Sequence, residues 1–419
     1  ESRSGSGTWV SARSRAVIAA RHAAHATSVA ASPLFGLLVG HDEAGDVIDV
    51  ALGTPLPLEG LPPDLFVLPP EEHTALLRDR LYHPLGWPAL RRAIAAEHSR
   101  RGLDTTPDQV LVTNGAQQAI ALSAALCVQR GDTILVEDPA YFGVLDVGRT
   151  IGARIVGVPV GADGVSPSAI RDRIAATGAR LIYLTPTFQN PTGAVMPAPV
   201  RREIGRIAAA TGVAVIDDCT MADLAIDPPG GSTPAPIAAH APDAPILTIG
   251  SLSKLVWPGL RVGWIRASEP MIQRLVRIKT AMDLSCPLLT QAIATRVVGA
   301  IGEARRLRQI ELRPRRDLLR ALLREHLPAW RFRVPNGGLF LWTELPQTDA
   351  REFAQVAFRH GVVTLAGSHM STAGEHSSFL RVPFFAEPDT LRTAVDRLAA
   401  AWREHRSAPR ERRQAVAIV

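Results

Sequence analysis

The chain has 419 residues, of which 46% are hydrophobic and 21% charged, enough to build a core of two or three packing units. No apolar run approaches the roughly 18 residues of a membrane span, and twelve histidines show no metal-ligand spacing, so neither a membrane segment nor a metal is predicted. The net charge of +6 comes largely from arginines near both ends, which indicates a solvated basic tail more readily than a nucleic-acid surface. Three widely spaced cysteines without a Cys-x-x-Cys motif indicate a reducing, cytoplasmic setting.

Taken in chain order, residues 1–45 lack the periodicity of a core and are predicted to form a linker. From residue 46 short apolar runs alternate with longer helical segments. The runs are too uniformly apolar for half-exposed strands, so they indicate a mostly parallel, doubly wound sheet that is covered on both faces. The predicted strands are 110–113, 133–136, 181–184, 213–216 and 246–249, and the predicted helices are 115–128, 199–211 and 269–282. A long helix over 303–327 then leads into a smaller mixed α/β region ending near residue 401.

Only two of the 46 basic residues are lysines, Lys254 and Lys279. Biased codon usage accounts for this scarcity without any function. A lysine can nevertheless lose its proton and form a Schiff base, which an arginine in a protein does not do. Lys254 follows the strand at 246–249 closely, whereas Lys279 lies on a helical stretch with other basic residues and is predicted to be on a solvated face.

Polar residues follow the carboxyl ends of four predicted strands, where ligands gather in such sheets. The helix that opens at Gly115 could hold a phosphate on its free N–H groups, although many turns contain a glycine. Asn190 stands in an Asn-Pro turn, which is common in any loop. Asp217 and Asp218 end one strand, and only one of them can face a ligand because successive side chains point to opposite faces. The hydroxyls of Ser251 and Ser253 flank Lys254, and Arg261 follows it.

In this order these segments resemble the fold-type I pyridoxal-phosphate enzymes of the class I/II aminotransferase family. The resemblance covers roughly residues 46–402 and is carried most specifically by Asn190-Pro191-Thr192-Gly193 and by Ser-x-Ser-Lys followed by Pro-Gly-Leu-Arg-x-Gly. It implies a pyridoxal 5'-phosphate cofactor and an α/β fold. It also implies three segments, which are an N-terminal arm at 46–75, a large cofactor-binding domain at 76–305 and a small C-terminal domain at 306–402.

The resemblance assigns roles to individual residues. Lys254 would form the Schiff base with the cofactor aldehyde, and Asp218 would pair with the pyridine nitrogen, since Val-Ile-Asp-Asp aligns with a Val-Ile-Glu-Asp pattern in similar proteins. Tyr141 would stack on the cofactor ring. Asn190 would bind the phenolate oxygen beside the substrate, and Arg381 would grip the substrate carboxylate. The residues assigned to the phosphate are Gly115, Ala116, Gln117, Ser251, Ser253 and Arg261.

Two further features complete the resemblance. Tyr82, in Tyr-His-Pro-Leu-Gly, would reach the phosphate of a neighbouring subunit, which implies a homodimer with shared sites. Similar proteins usually carry a tyrosine two or three residues after the ring-pairing aspartate, contributing a second hydrogen bond to the phenolate oxygen. This chain has Thr220 and Met221 there, which puts the electronic tuning of the cofactor, and full transaminase competence, in question.

The first residues bear on the choice between enzyme and sensor. Gly5-Ser6-Gly7-Thr8-Trp9-Val10 resembles the end of the wing in GntR-type winged helix-turn-helix domains, so residues 1–45 are predicted to be a wing remnant and linker, and residues 403–419 a basic tail. A wing, a linker and an aminotransferase-like domain follow one another in MocR-type transcriptional regulators, which sense an amino acid or amine. DNA would then be bound only by a domain preceding Glu1. The alternative is a stand-alone aminotransferase acting on an amino acid and a 2-oxo acid.

Overall fold

The computed structural model describes residues 47–407 of the chain. The predicted wing remnant and linker, and residues 408–419 of the predicted basic tail, lie outside the described residues. Residues 403–407 belong instead to the last helix.

Strands and helices alternate through most of the described chain. The strands are β1 (Ile48–Asp49), β2 (Val110–Thr113), β3 (Thr133–Asp138), β4 (Arg154–Gly161), β5 (Gly164–Val165), β6 (Leu181–Leu184), β7 (Ala214–Asp218), β8 (Ile246–Ser251), β9 (Gly263–Arg266), β10 (Arg331–Phe332), β11 (Phe340–Glu344), β12 (Val362–Val363), β13 (Leu365–Ala366) and β14 (Phe379–Pro383). The α-helices are α1 (Pro70–Arg78), α2 (Pro88–Arg100), α3 (Gly115–Cys127), α4 (Phe142–Thr150), α5 (Pro167–Thr177), α6 (Ala198–Thr211), α7 (Glu269–Asp283), α8 (Leu288–Gly299), α9 (Ile301–His326), α10 (Ala350–Arg359) and α11 (Pro388–Ser407).

An eight-stranded sheet organises the larger part of the molecule, with strand order β2-β9-β8-β7-β6-β3-β4-β5. The pairs from β8 to β4 are parallel, as the sequence predicted, whereas β9 runs antiparallel to both β8 and β2. All residues of β2, β3, β6, β7 and β8 are buried. These strands read as continuous apolar runs because helices cover both of their faces.

The helices on the two faces form separate apolar clusters with the sheet. Buried residues of α3, α4 and α7 pack on one face, and those of α5 and α6 pack on the other. The five strands and the helices predicted from the apolar runs are all present, with ends that differ by at most two residues. The covered sheet leaves its strand ends as the open edge at which polar residues can collect.

A smaller antiparallel sheet of order β10-β11-β14-β13 lies beyond the long helix α9. The first described segment joins this part of the molecule, since β1 pairs in parallel with β12. The N-terminal arm at 46–75 and the domain boundaries at 76–305 and 306–402 stay predictions. Among residues 47–407, no helix is long and apolar enough to span a membrane, and no cluster of candidate metal ligands is present.

Candidate active site

Lys254 lies three residues beyond the end of β8, in a largely buried setting. Its Nζ donates a hydrogen bond to the carbonyl oxygen of Gly53 in the N-terminal arm. Burial, with smaller contributions from the cations Arg381 and Arg261, lowers the pKa of the Lys254 amine to about 8, and Asp218 partly opposes this shift. An amine with this pKa is available in its neutral, nucleophilic form near physiological pH.

Asp218 and Asp217 face opposite sides of β7. Asp218 Oδ2 accepts a hydrogen bond from the hydroxyl of Tyr183 (2.6 Å), and Oδ1 accepts one from the Thr220 amide (2.9 Å). Asp217 instead accepts from the Ile237 amide (2.7 Å), away from Lys254. Burial raises the pKa of Asp218, so its carboxylate favours a positively charged partner. The geometry therefore favours Asp218 over its neighbour as the ring-pairing residue.

The start of α3, the end of β8 and the turn before β9 meet at one place. The Arg261 guanidinium donates to the carbonyl oxygen of Asn114 (3.0 Å) just before α3 begins. Gly115 has φ of +75°, and a Cβ there would lie 2.6 Å from the Arg261 guanidinium. A Cβ on Gly263 would lie 2.8 Å from the Ala116 nitrogen. These glycines let the Arg261 guanidinium and the start of β9 approach the backbone of the turn.

Two buried serine hydroxyls lie beside this turn. Ser251 Oγ lies 3.1 Å from Ser253 Oγ and 3.2 Å from the carbonyl oxygen of Val262. The first N–H groups of a helix have no acceptor inside the helix. The N–H groups at the start of α3, the two hydroxyls and Arg261 thus form one set of donors that suits a phosphate.

Tyr141 and Gln117 are paired at the same edge of the sheet. The Tyr141 hydroxyl donates to Gln117 Oε1 (3.1 Å), and Gln117 Nε2 donates to the Gly143 carbonyl oxygen (3.1 Å). Burial raises the pKa of Tyr141 to about 12, so the phenol stays neutral. Tyr141 directly precedes α4, and the cations Arg381 and Arg261 both partly oppose the rise in its pKa.

Arg381 on β14 reaches from the smaller sheet to the edge of the larger one. It is 1% exposed, and its Nη1 donates to Asn190 Oδ1 (3.1 Å) while Nη2 donates to the Ala51 carbonyl oxygen. Its guanidinium lies 4.1 Å from the centre of the Phe340 ring. Its Nε is buried with no acceptor among the described residues. Burial lowers the pKa of this guanidinium, so an anionic partner would stabilise it.

Sequence reasoning missed three contributors. Tyr183, on β6, holds Asp218, and the signal for it was a single tyrosine within an otherwise aliphatic buried strand. Gly53 and Ala51 act through carbonyl oxygens, which leave no trace in side-chain chemistry. All three depend on which strands and arm residues become neighbours in the fold.

Two residues considered in the sequence analysis, Tyr82 and Lys279, lie outside the candidate site around Lys254. Tyr82 is 67% exposed on the loop after α1, so this chain does not bring it to its own Lys254. Its role towards a neighbouring subunit stays a prediction. The prediction that Lys279 lies on a solvated face is wrong. Its side chain is fully buried, and its Nζ lies 2.7 Å from Asp283 Oδ1. Helical spacing alone did not show that this face of α7 packs against α3.

The donor set fits pyridoxal phosphate on the structure's own geometry. It offers a largely buried amine, the buried carboxylate of Asp218, which forms no ion pair within residues 47–407, and a glycine-containing turn with anion donors. Arg381 adds a buried Nε without an acceptor. The residues that would hold the group are Lys254, Asp218, Asn190, Tyr141, Gly115, Ala116, Gln117, Ser251, Ser253 and Arg261.

The fold and this arrangement define a protein of the fold-type I pyridoxal-phosphate class. A family model described as aminotransferase class I and II matches residues 69–398. The chain belongs to this aminotransferase family, as the sequence motifs predicted, and the cofactor of the family is pyridoxal phosphate.

Similar proteins include both enzymes and regulators. The 2-aminoadipate transaminase of Thermus thermophilus is 30% identical over 339 residues, covering 78% of this chain and 84% of that protein. The uncharacterized HTH-type transcriptional regulator YdfD of Bacillus subtilis is 30% identical over 328 residues, covering 77% of this chain and 67% of that protein.

Solved structures agree in fold. LysN, the alpha-aminoadipate aminotransferase of Thermus thermophilus complexed with N-(5'-phosphopyridoxyl)-L-leucine, superimposes with a TM-score of 0.76 at 26% identity, covering 88% of this chain and 94% of that one. The kynurenine aminotransferase of Pyrococcus horikoshii gives a TM-score of 0.79 at 24% identity, covering 92% and 97%, which shows the fold alone.

Proposed function

We propose that this chain binds pyridoxal phosphate at Lys254 and the carboxylate of an amino acid at Arg381, and that it is the effector-sensing domain of a MocR-like transcriptional regulator. The observation that carries the binding proposal is the Lys254 amine just beyond β8, whose pKa is lowered to about 8 by burial and, to a smaller extent, by Arg381 and Arg261. The regulators among the similar proteins support the sensing role.

When bound, pyridoxal phosphate supplies an electron-accepting ring that stabilises negative charge on a substrate α-carbon. The chain's residues orient and tune that ring. Asp218, held by Tyr183 and the Thr220 amide, would keep a proton on the pyridine nitrogen through its negative charge. Lys254 Nζ would carry the covalent attachment and, once released, could take a proton from the α-carbon.

Arg381 and Asn190 would orient the amino acid. The Nη1 of Arg381 already lies 3.1 Å from Asn190 Oδ1, so a carboxylate gripped by the guanidinium would stand beside the phenolate-binding amide. The main-chain oxygens that Arg381 and Lys254 now occupy, those of Ala51 and Gly53, would be released as ligands bind. Ligand binding at the site would therefore change the hydrogen bonds that hold the N-terminal arm.

The presence of Thr220 where similar proteins usually carry a tyrosine favours a sensing function over catalytic turnover. Its amide supports Asp218, but its short side chain does not copy the hydroxyl of the usual tyrosine. With one hydrogen bond fewer to the phenolate oxygen, the ring would lose part of the tuning that efficient proton transfer requires. A bound amino acid would then persist long enough to be reported to another domain.

The test is to add a panel of amino acids to the cofactor-loaded protein and to follow its absorption spectrum. A sensor gives a spectral change that persists and disappears only when the amino acid is removed. Conversion to a pyridoxamine form that a 2-oxo acid reverses would establish the enzyme instead. Lys254→Ala is expected to abolish the visible absorption of the bound cofactor. If that absorption remained, Lys254 would not be the residue that binds the cofactor covalently. Arg381→Ala is expected to weaken only the response to amino acids.

A stand-alone aminotransferase is the second candidate, because the 2-aminoadipate transaminase matches over 84% of its own length. The sequence similarity to transaminases favours it, and so do Lys254, Asp218 and Asn190 at the same edge of the large sheet. The reversible pyridoxamine signal above decides between the two functions.

We further propose a homodimer with shared sites. Large apolar side chains are exposed on the N-terminal arm, on α1 and the loop after it, and in the turn before β9, and a surface of this kind marks an interface. Leu56, Val67, Leu77, Leu81, Tyr82 and Trp257 are between 42% and 73% exposed. A partner copy covering this surface would bring Tyr82 towards the phosphate side of a neighbouring site.

A further inference from the structure

The second lysine of the chain has a partner network that the cofactor chemistry does not use. Lys279 is fully buried in the last turns of α7, and its Nζ lies 2.7 Å from Asp283 Oδ1. The other oxygen of Asp283 accepts hydrogen bonds from Asn114 Nδ2 (2.9 Å) and Gln118 Nε2 (2.7 Å). Both amides belong to the start of α3.

This network continues into the turn that holds the phosphate-type donors. Gln118 Oε1 accepts from the backbone N–H of Asn114 (2.7 Å), and the Asn114 carbonyl oxygen accepts from the Arg261 guanidinium (3.0 Å). Asn114 directly precedes Gly115. The position of the turn relative to Arg261 therefore depends on Asp283.

Asp283 also creates an electrostatic difficulty at this position. A carboxylate at the start of a helix is attracted by the helix dipole, as a phosphate would be. An unpaired carboxylate there would repel the cofactor phosphate. Lys279, which is fully buried, supplies a matching positive charge at Asp283 Oδ1, and the Asp283 side chain itself is 22% exposed.

We propose that Lys279 is a positioning residue for the cofactor phosphate. It neutralises Asp283, so that this carboxylate can hold Asn114 and Gln118 in place without repelling the phosphate. The inference rests on the proposed binding of pyridoxal phosphate, but it concerns a residue that touches neither the cofactor nor the substrate.

The experiment compares two ligands that differ only in the phosphate. Dissociation constants of pyridoxal phosphate and of pyridoxal are measured on the cofactor-free protein by absorption. Lys279→Met leaves Asp283 charged and unpaired, and we expect its dissociation constant for pyridoxal phosphate to rise about tenfold while that for pyridoxal changes less than about twofold. Arg277→Met is the matched control, because Arg277 is an exposed cation on the same helix, and it is expected to change neither constant.

The double variant Lys279→Met with Asp283→Asn removes both charges and retains an acceptor oxygen. We expect it to recover affinity for pyridoxal phosphate to within a few-fold of the wild type. The double variant also tests the proposal if Lys279→Met alone does not fold. A double variant that binds pyridoxal phosphate tenfold more weakly than the wild type overturns the proposal. Equal losses for pyridoxal and pyridoxal phosphate in Lys279→Met overturn it as well. Failure of the wild type to bind pyridoxal phosphate would instead reject the proposed function itself.

Discussion

Lys254 is destabilising to the cofactor-free fold while it is charged, because its ammonium group is removed from water and placed near two guanidinium groups. The same burial lowers the pKa of the amine and so favours its neutral form. A lysine on the solvated surface keeps its proton at neutral pH and is a poor nucleophile. Burial of the Lys254 amine is therefore the cause of both its lowered pKa and the loss of stability.

This coupling predicts an unusual effect of Lys254→Met on the cofactor-free protein. The pKa of the amine is about 8 in the folded state against 10.5 ordinarily, a difference of about 3 kcal/mol below pH 8. After about 1 kcal/mol is subtracted for the lost hydrogen bond to Gly53, the variant is expected to be about 2 kcal/mol more stable at pH 7. Denaturant unfolding of both proteins measures this difference.

The sign of the pH dependence follows from the lowered pKa. Between pH 8 and 10.5 the unfolded wild type binds more protons at this lysine than the folded wild type does, so wild-type stability rises with pH. The advantage of Lys254→Met should therefore shrink through this window and be largest below pH 8. A variant less stable than the wild type at pH 7 contradicts the burial of a charged amine.

At the scale of elements, the turn between β2 and α3 depends on a backbone conformation that side chains rarely adopt. Gly115 has φ of +75° and faces the Arg261 guanidinium. Gly178, which follows α5, has φ of +63°, and a Cβ there meets nothing within 4 Å. The two glycines share a backbone requirement and differ only in what lies beside them.

We expect alanine at either glycine to lower the free energy of unfolding by about 1 kcal/mol, because of the positive φ. Only Gly115→Ala should also weaken binding of pyridoxal phosphate, since its methyl group displaces Arg261 from the turn. Thermal unfolding and cofactor titration of both variants separate the two effects. Equal cofactor affinity in the two variants would argue against a phosphate at this turn.

At the scale of the whole molecule, the active site joins segments from three regions. The arm provides Ala51 and Gly53, the large sheet provides Lys254, and the smaller sheet provides Arg381. Asp138 at the end of β3 adds a contact to the loop before β14, since its Oδ2 accepts from Thr372 Oγ1 (2.7 Å).

The proposed shared site predicts complementation between two defective variants. Lys254→Ala removes the attachment point, and Tyr82→Ala is expected to weaken phosphate binding in the partner's site. A mixed dimer of the two contains one site with both residues intact, so about a quarter of all sites should regain tight binding after random exchange of subunits. Cofactor absorption at limiting pyridoxal phosphate measures this recovery. No recovery on mixing would show that Tyr82 does not act across subunits.

Short-range signals in the sequence were enough to predict much of this protein. Uniformly apolar runs identified the buried strands, because a strand covered on both faces must be apolar throughout. The motifs around Asn190 and Lys254 identified the family, because cofactor chemistry restricts which side chains can stand at the strand ends. The alternation of faces along a strand limited the ring-pairing residue to one of Asp217 and Asp218, and the motif favoured Asp218.

Only the tertiary structure decided which distant residues became neighbours. It paired Tyr183 with Asp218 and placed the carbonyl oxygens of the arm beside Lys254 and Arg381. It also buried Lys279, which an arginine-rich helix had suggested was solvated. Burial and charge pairing arise from packing between elements far apart in the chain, and local patterns do not contain that information.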